Sequence, residues 1–160
     1  MKRDLAVQVN TKLNSIIDGL FEIPELVRQE APEEHLAYIS MLTPVIAQVF
    51  LMTSELSKDC PDLEEAEERP IEPPPDEELA SDESWRAANS MSRETAQRVT
   101  VAIRNQSSRL DDALLLLKKG CNPEELRPFE AAREKAKEGA RFILDRIEVQ
   151  HPGVASGNAG

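Results

Sequence analysis

Between Leu36 and Ser54 the chain runs 19 residues without a charged side chain, in a sequence that is 31% charged overall. At 100° per residue, Tyr38, Leu42, Val45, Val49, Met52 and Leu56 cover one side of a helix, while Leu36, Ile39, Ala47, Phe50 and Leu51 cover much of the other. A helix that is apolar all round must be covered all round. Either it stands in a bundle with a further chain against it, or it crosses a membrane. Ser40, Thr43, Pro44, Gln48, Thr53 and Ser54 dilute the run, and the acids at both ends lack the Lys/Arg bias that orients a span, so the bundle reading is preferred. Tyr38, Met41, Leu42, Val45, Ile46, Val49, Phe50, Leu51 and Met52 are then the candidate interface residues. Pro44 removes the backbone hydrogen bond to Ser40 and predicts a kink.

Three more helices are legible. Leu5, Val9, Leu13, Ile16 and Leu20, widened by Ile17 and Phe21, form an apolar stripe over residues 4–22. Ile23-Pro24 predicts the end of that helix, because the residue before proline avoids helical geometry. A connector of about 10 residues leads to Pro32-Glu33-Glu34, a helix-start signature, and helix two extends to about Lys58. Asp82-Glu83-Ser84 caps a third helix expected over 85–119, with the near-heptad stripe Ala88, Ser92, Ala96, Val99, Ile103, Gln106, Leu110, Ala113 and Leu117. Gln106 reads as the polar position that fixes register. Asn122-Pro123-Glu124-Glu125 opens the fourth helix, with Pro128 as a candidate break in its second turn. Phe129, Ala132, Ala136, Ala140, Ile143 and Ile147 face inward there, and alternating charges from Glu130 to Arg141 face out. After Gln150 no periodicity remains, which predicts disorder over 151–160.

Residues 59–84 hold 12 acids and one base, the whole of the net charge of -11, and separate two blocks whose charges cancel each other. The organisation expected is all-α: a helical hairpin over 1–58, an acidic, Pro-rich and disordered linker over 59–84, and a second hairpin over 85–150. The two hairpins form one four-helix-bundle domain. The linker is long enough for either of two topologies. If the four helices alternate up and down, Cys60 and Cys121 lie at opposite ends; if the linker crosses the bundle, they lie at the same end.

Chemical motifs are sparse. Two widely separated cysteines form neither a disulfide framework nor a zinc set, and they fit a reducing cytoplasm. Glu64, Glu65, Glu67 and Glu68 have ExxE spacing, yet no second helix supplies the matching Glu or His of a di-metal bundle. No metal, cofactor or catalytic residue is assigned. The 6 glycines are dispersed and form no phosphate-binding loop. His35, at the start of helix two, reads as a surface or capping residue. A sequence pI of 4.7 with only Lys2-Arg3 and Lys118-Lys119 as basic pairs argues against a nucleic-acid ligand.

Arg104-Asn105-Gln106-Ser107-Ser108-Arg109 resembles the Arg-polar-x4-His signature of the HEPN helical ribonucleases. The resemblance implies a helical-bundle ribonuclease or hydrolase acting through Arg104. Positions 109 to 111 read Arg, Leu, Asp, so the family's histidine is missing and its base with it. The small, acidic, helical composition is also similar to that of flagellar and type III export chaperones, which implies a chaperone or adaptor. The leading expectation is a non-catalytic, cytoplasmic protein-protein interaction module, a homodimer or adaptor binding through helix faces.

Overall fold

The computed structural model describes residues 2–60 and 91–155. Four helices pack against one another: α1 (Arg3–Glu30), α2 (His35–Asp59), α3 (Arg93–Gly120) and α4 (Pro123–Gln150), with a 3-10 turn at Pro32–Glu34 leading into α2. No strand occurs among the described residues. The protein is an all-α four-helix bundle.

The expected stripes form the core. Val9, Leu13, Ile16, Ile17 and Leu20 of α1 are buried against Val99, Ile103, Leu110, Ala113 and Leu117 of α3 and the inward residues of α2 and α4. Helix α1 does not stop at Ile23-Pro24. A proline inside a helix costs about 3 kcal/mol, through the missing N–H and a clash with the preceding turn. Ile23, Pro24, Val27 and Ala31 continue the buried stripe beyond the proline, and each large aliphatic side chain so buried contributes about 1.5–3 kcal/mol. Burial outweighs the break. The Pro24 carbonyl is also engaged, accepting a hydrogen bond from His35 Nδ1 at 3.0 Å. Pro44 and Pro128 likewise lie inside continuous helices, so Pro128 does not interrupt α4.

Helix α3 begins later than residue 85. Ser92 is its N-cap, in extended backbone geometry, and its hydroxyl accepts the Thr95 N–H at 3.1 Å, so Ser92 caps the helix and is not part of its inward stripe. Trp85, Ala88, the acids from Asp62 to Glu83 and the rest of 61–90 lie outside the described residues. Helix α4 starts where expected, with a reciprocal capping box: the Asn122 side chain accepts the Glu125 N–H at 2.8 Å, and the Glu125 carboxylate accepts the Asn122 N–H at 3.2 Å.

Helix α1 packs on α2 and α3, and α4 packs on the same two, so α1/α4 and α2/α3 stand across the diagonals. Directions follow from close approaches. Gly120 lies under Leu5 and Gly19 under Gln106, so α3 is antiparallel to α1. Gly139 lies against Val45, and Arg146 faces Glu34, so α4 is antiparallel to α2. Helices α2 and α3 therefore point the same way. Cys60, after α2, and Cys121, after α3, lie at one end of the bundle, while Met91 lies at the other; of the two topologies open to the sequence, this is the crossing one.

The carboxyl-terminal residues 151–155, expected to be disordered, form a turn instead. Glu148 accepts the N–H groups of Gly153 at 2.8 Å and Ala155 at 3.1 Å, and Arg93 donates to the Pro152 carbonyl at 3.1 Å. Gly153, at φ +92°, supplies the left-handed step, and Val154 and Ala155 are buried. Side-chain anchors on α3 and α4 replace the missing periodicity.

Candidate functional site

Helix α2 supplies the features that a functional reading must explain. Of the nine candidate interface residues, Tyr38, Met41, Leu42, Val45, Ile46, Val49 and Met52 are buried within this single chain. The bundle covers them with α1 and α4, which meets most of the need for cover inferred from the sequence. Phe50 is partly buried against the core, and Leu51 points outward, 53% exposed. By length and composition the segment Pro32–Lys58 could also span a membrane, but in this fold its apolar side is the core of the bundle.

What remains outward on α2 is a stripe of Leu36, Ser40, Thr43, Pro44, Ala47, Leu51 and Ser54, exposed or half-buried and without a charge. The other exposed large apolar residues stand differently. Val7, Val101, Leu115, Phe142 and Val149 lie on helices with charges on their outer faces, whereas Leu51, although Glu55 follows one turn later, ends a run back to Leu36 that holds no charge.

Beside this stripe lies a groove of about 200 Å³ between the second half of α1 and the first half of α2. Phe21, Pro24, Ile39, Leu42 and Ile46 form its apolar lining, with Glu25, His35 and Thr43 as its polar groups. The α2 residues follow helical spacing, 35, 39, 42/43 and 46, so the groove runs along the helix axis. Because a carbonyl only accepts, the His35–Pro24 bond fixes the proton on Nδ1 and leaves Nε2 of the neutral ring as an acceptor. Thr43 spends its hydroxyl proton on the Ile39 carbonyl at 2.7 Å. The interior between the four helices is tighter, with a void of about 10 Å³ next to Gln106 and Ser107, room for one water at most.

At the end of the bundle near Met91, a polar cluster is sealed from solvent. Glu34 is fully buried; its Oε2 accepts the Met91 N–H at 2.7 Å and its Oε1 faces Arg146 Nη2 at 3.5 Å. Tyr38, one turn on, is fully buried and its hydroxyl has no hydrogen-bond partner among the described residues. Burial pushes the phenol pKa well up, the Glu34 charge adds to the rise, and Arg146 opposes it. This cluster joins α2, α4 and the chain entering α3, a structural tie that sequence reading missed. Glu34 belongs to the helix-start signature, and its spacing to Tyr38, Met41 and Val45 also places it on the buried stripe.

The arginines of the HEPN-like hexapeptide are occupied structurally. Arg104 donates to the Ala155 carbonyl, and Arg109 donates to Ser15 and to Gln106 Oε1. Asp111, one of the positions where the family's histidine would fall, pairs with Arg133 and Lys137 of α4, each at 3.1 Å. Gln106 accepts from Arg109 and lies over Gly19 of α1. Among the described residues no group of three or more His, Cys, Asp and Glu side chains is placed to hold a metal ion. Glu64, Glu65, Glu67 and Glu68 lie outside them.

No family model, curated protein or solved structure matches this chain.

Proposed function

We propose that the protein is a non-catalytic helical interaction module that binds another protein chain through the outer face of α2, self-association into a homodimer being its simplest form. The observation that carries this reading is the uncharged outward stripe from Leu36 to Ser54, about 28 Å long at 1.5 Å per residue. Solvent-facing helix surfaces are ordinarily laced with charge, as the other three helices are here. An uncharged face of this length, with a half-exposed Leu51 and a groove along its edge, has the composition of an interface core, where charged residues are depleted. Neither Cys60 nor Cys121 is in a disulfide among the described residues, which suits a cytoplasmic location.

Leu51→Asp places a charge at the most exposed large apolar residue of the face, near its carboxyl end, without touching the buried side of α2. A dimer of the wild-type chain should dissociate in this variant while its helical circular dichroism is retained. A dimer unchanged by Leu51→Asp would move the interface off this face.

A further inference from the structure

We infer that the groove between α1 and α2 receives a helix of a partner protein that presents apolar side chains interspersed with lysine or arginine. The inference rests on the interaction reading in taking a protein segment as ligand, and it adds the chemistry of that segment. Size comes first. At about 200 Å³ the groove is below the 300–1,000 Å³ of sites that enclose small organic ligands, and it is partly open to solvent. Such a trough suits a few anchoring side chains of a helix laid along it, spaced as i, i+3, i+4 and i+7 against Phe21, Ile39, Leu42 and Ile46.

The polar lining sets the rest of the specificity. His35 has spent its Nδ1 proton on the Pro24 carbonyl, Thr43 its hydroxyl proton on the Ile39 carbonyl, and Glu25 is a carboxylate. All three offer lone pairs to a visitor, so a complementary ligand brings donors. Charge points the same way. Beside the groove α1 carries Glu22 and Glu25 against the single base Arg28, and α2 carries no charge from Leu36 to Ser54. Arg28 offsets only part of this, lying 3.6 Å from Glu25 with both side chains mostly exposed. A lysine or arginine flanking an apolar anchor meets both requirements at once, by attraction to the acidic rim and by donating to the lining.

The test uses the full chain and two labelled 18-residue synthetic helices of one apolar pattern, leucine with lysine and leucine with glutamate, followed by fluorescence anisotropy. The leucine-lysine helix should bind and the leucine-glutamate helix should not. Glu22→Lys with Glu25→Lys should weaken binding about tenfold. Thr43→Arg, which fills the trough with a base, should weaken it at least as much. Glu130→Lys with Glu138→Lys, the same charge change on the exposed side of α4, should leave binding within about twofold. Equal weakening by the two charge-reversed pairs, or no effect of Thr43→Arg in a folded protein, would mean that net charge alone attracts the peptide and would overturn the assignment. A monomeric mass for the free chain would remove self-association and leave this groove untouched, so the two readings fail separately.

Discussion

Replacing Tyr38 by phenylalanine should stabilise the protein, an unusual direction for a change at a fully buried core residue. The side chain is 0% exposed and its hydroxyl has no hydrogen-bond partner among the described residues. A buried hydroxyl left without a partner costs about 1–3 kcal/mol of desolvation, and phenylalanine keeps the ring in place while removing only the oxygen. The expected gain is about 1–2 kcal/mol. For a chain of this length each kcal/mol moves Tm by about 2–4 °C, so the variant should melt about 2–8 °C higher. Thermal and urea unfolding followed by circular dichroism measure both quantities. A loss of about 1 kcal/mol or more would show that the hydroxyl is satisfied in the folded protein and would refute the reasoning. The same site predicts the alkaline limb. The phenol pKa is raised by burial and by Glu34, against the opposing Arg146, so its contribution is complete below the ordinary value of about 10 and is lost as pH climbs toward the raised value. Tyr38 is the only tyrosine, so tyrosinate absorbance at 295 nm reports it alone. It should appear together with loss of helicity; ionisation near pH 10 in a chain that stays helical would contradict the burial argument.

Three other perturbations test the fold. Gly139→Ala gains about 1 kcal/mol of helix propensity but sets a methyl 2.6 Å from Val45 Cγ2, and overpacking of this kind costs about 1–3 kcal/mol, so a net loss is expected; Val45→Ala should recover it in a double-mutant cycle. Asn122→Ala should cost about 1 kcal/mol by opening the capping box, measured by urea unfolding. The Asn122 N–H holds the Glu125 carboxyl below its ordinary pKa, so its share of stability is present above the unfolded carboxylate range and is lost as pH falls through the lowered value; Glu125→Gln should flatten that acid limb. Lys58→Cys with Lys119→Cys, in a Cys60→Ser and Cys121→Ser background, places thiols at one end of diagonal helices whose axes stand about 13 Å apart, within reach of a long, flexible bismaleimide, whereas the alternating topology would separate them by about 42 Å along the bundle. Absence of an intramolecular cross-link would reject the crossing topology.

The apolar stripes were readable because side-chain periodicity and burial are the same physical requirement, and Val9 to Leu20, Ala96 to Leu117 and Phe129 to Ile147 all lie where their spacing put them. Boundaries were less readable where a local preference competed with packing. Pro24 argued for a helix end, and Val27 and Ala31, on the same stripe one and two turns later, decided against it. The start of α3 moved to Arg93 because Ser92 caps better than its heptad position suggested. The direction of one hairpin relative to the other could not be read, since a linker of this length permits both topologies; the choice rests on close approaches such as Gly139 to Val45, where a missing side chain leaves no mark in hydropathy. For α2 the sequence showed an excess of apolar surface but not its division. Most of the predicted interface, from Tyr38 to Met52, is core, and the part left outward is distinguished by absent charge more than by strong hydrophobicity.

The central claim is that this outward face of α2 holds another protein chain, and its most direct test is the mass of the free full-length chain by sedimentation equilibrium at micromolar concentration. A mass twice 17.8 kDa, falling to 17.8 kDa for Leu51→Asp, is the predicted result. A wild-type mass of 17.8 kDa throughout the concentration range would contradict self-association through this face.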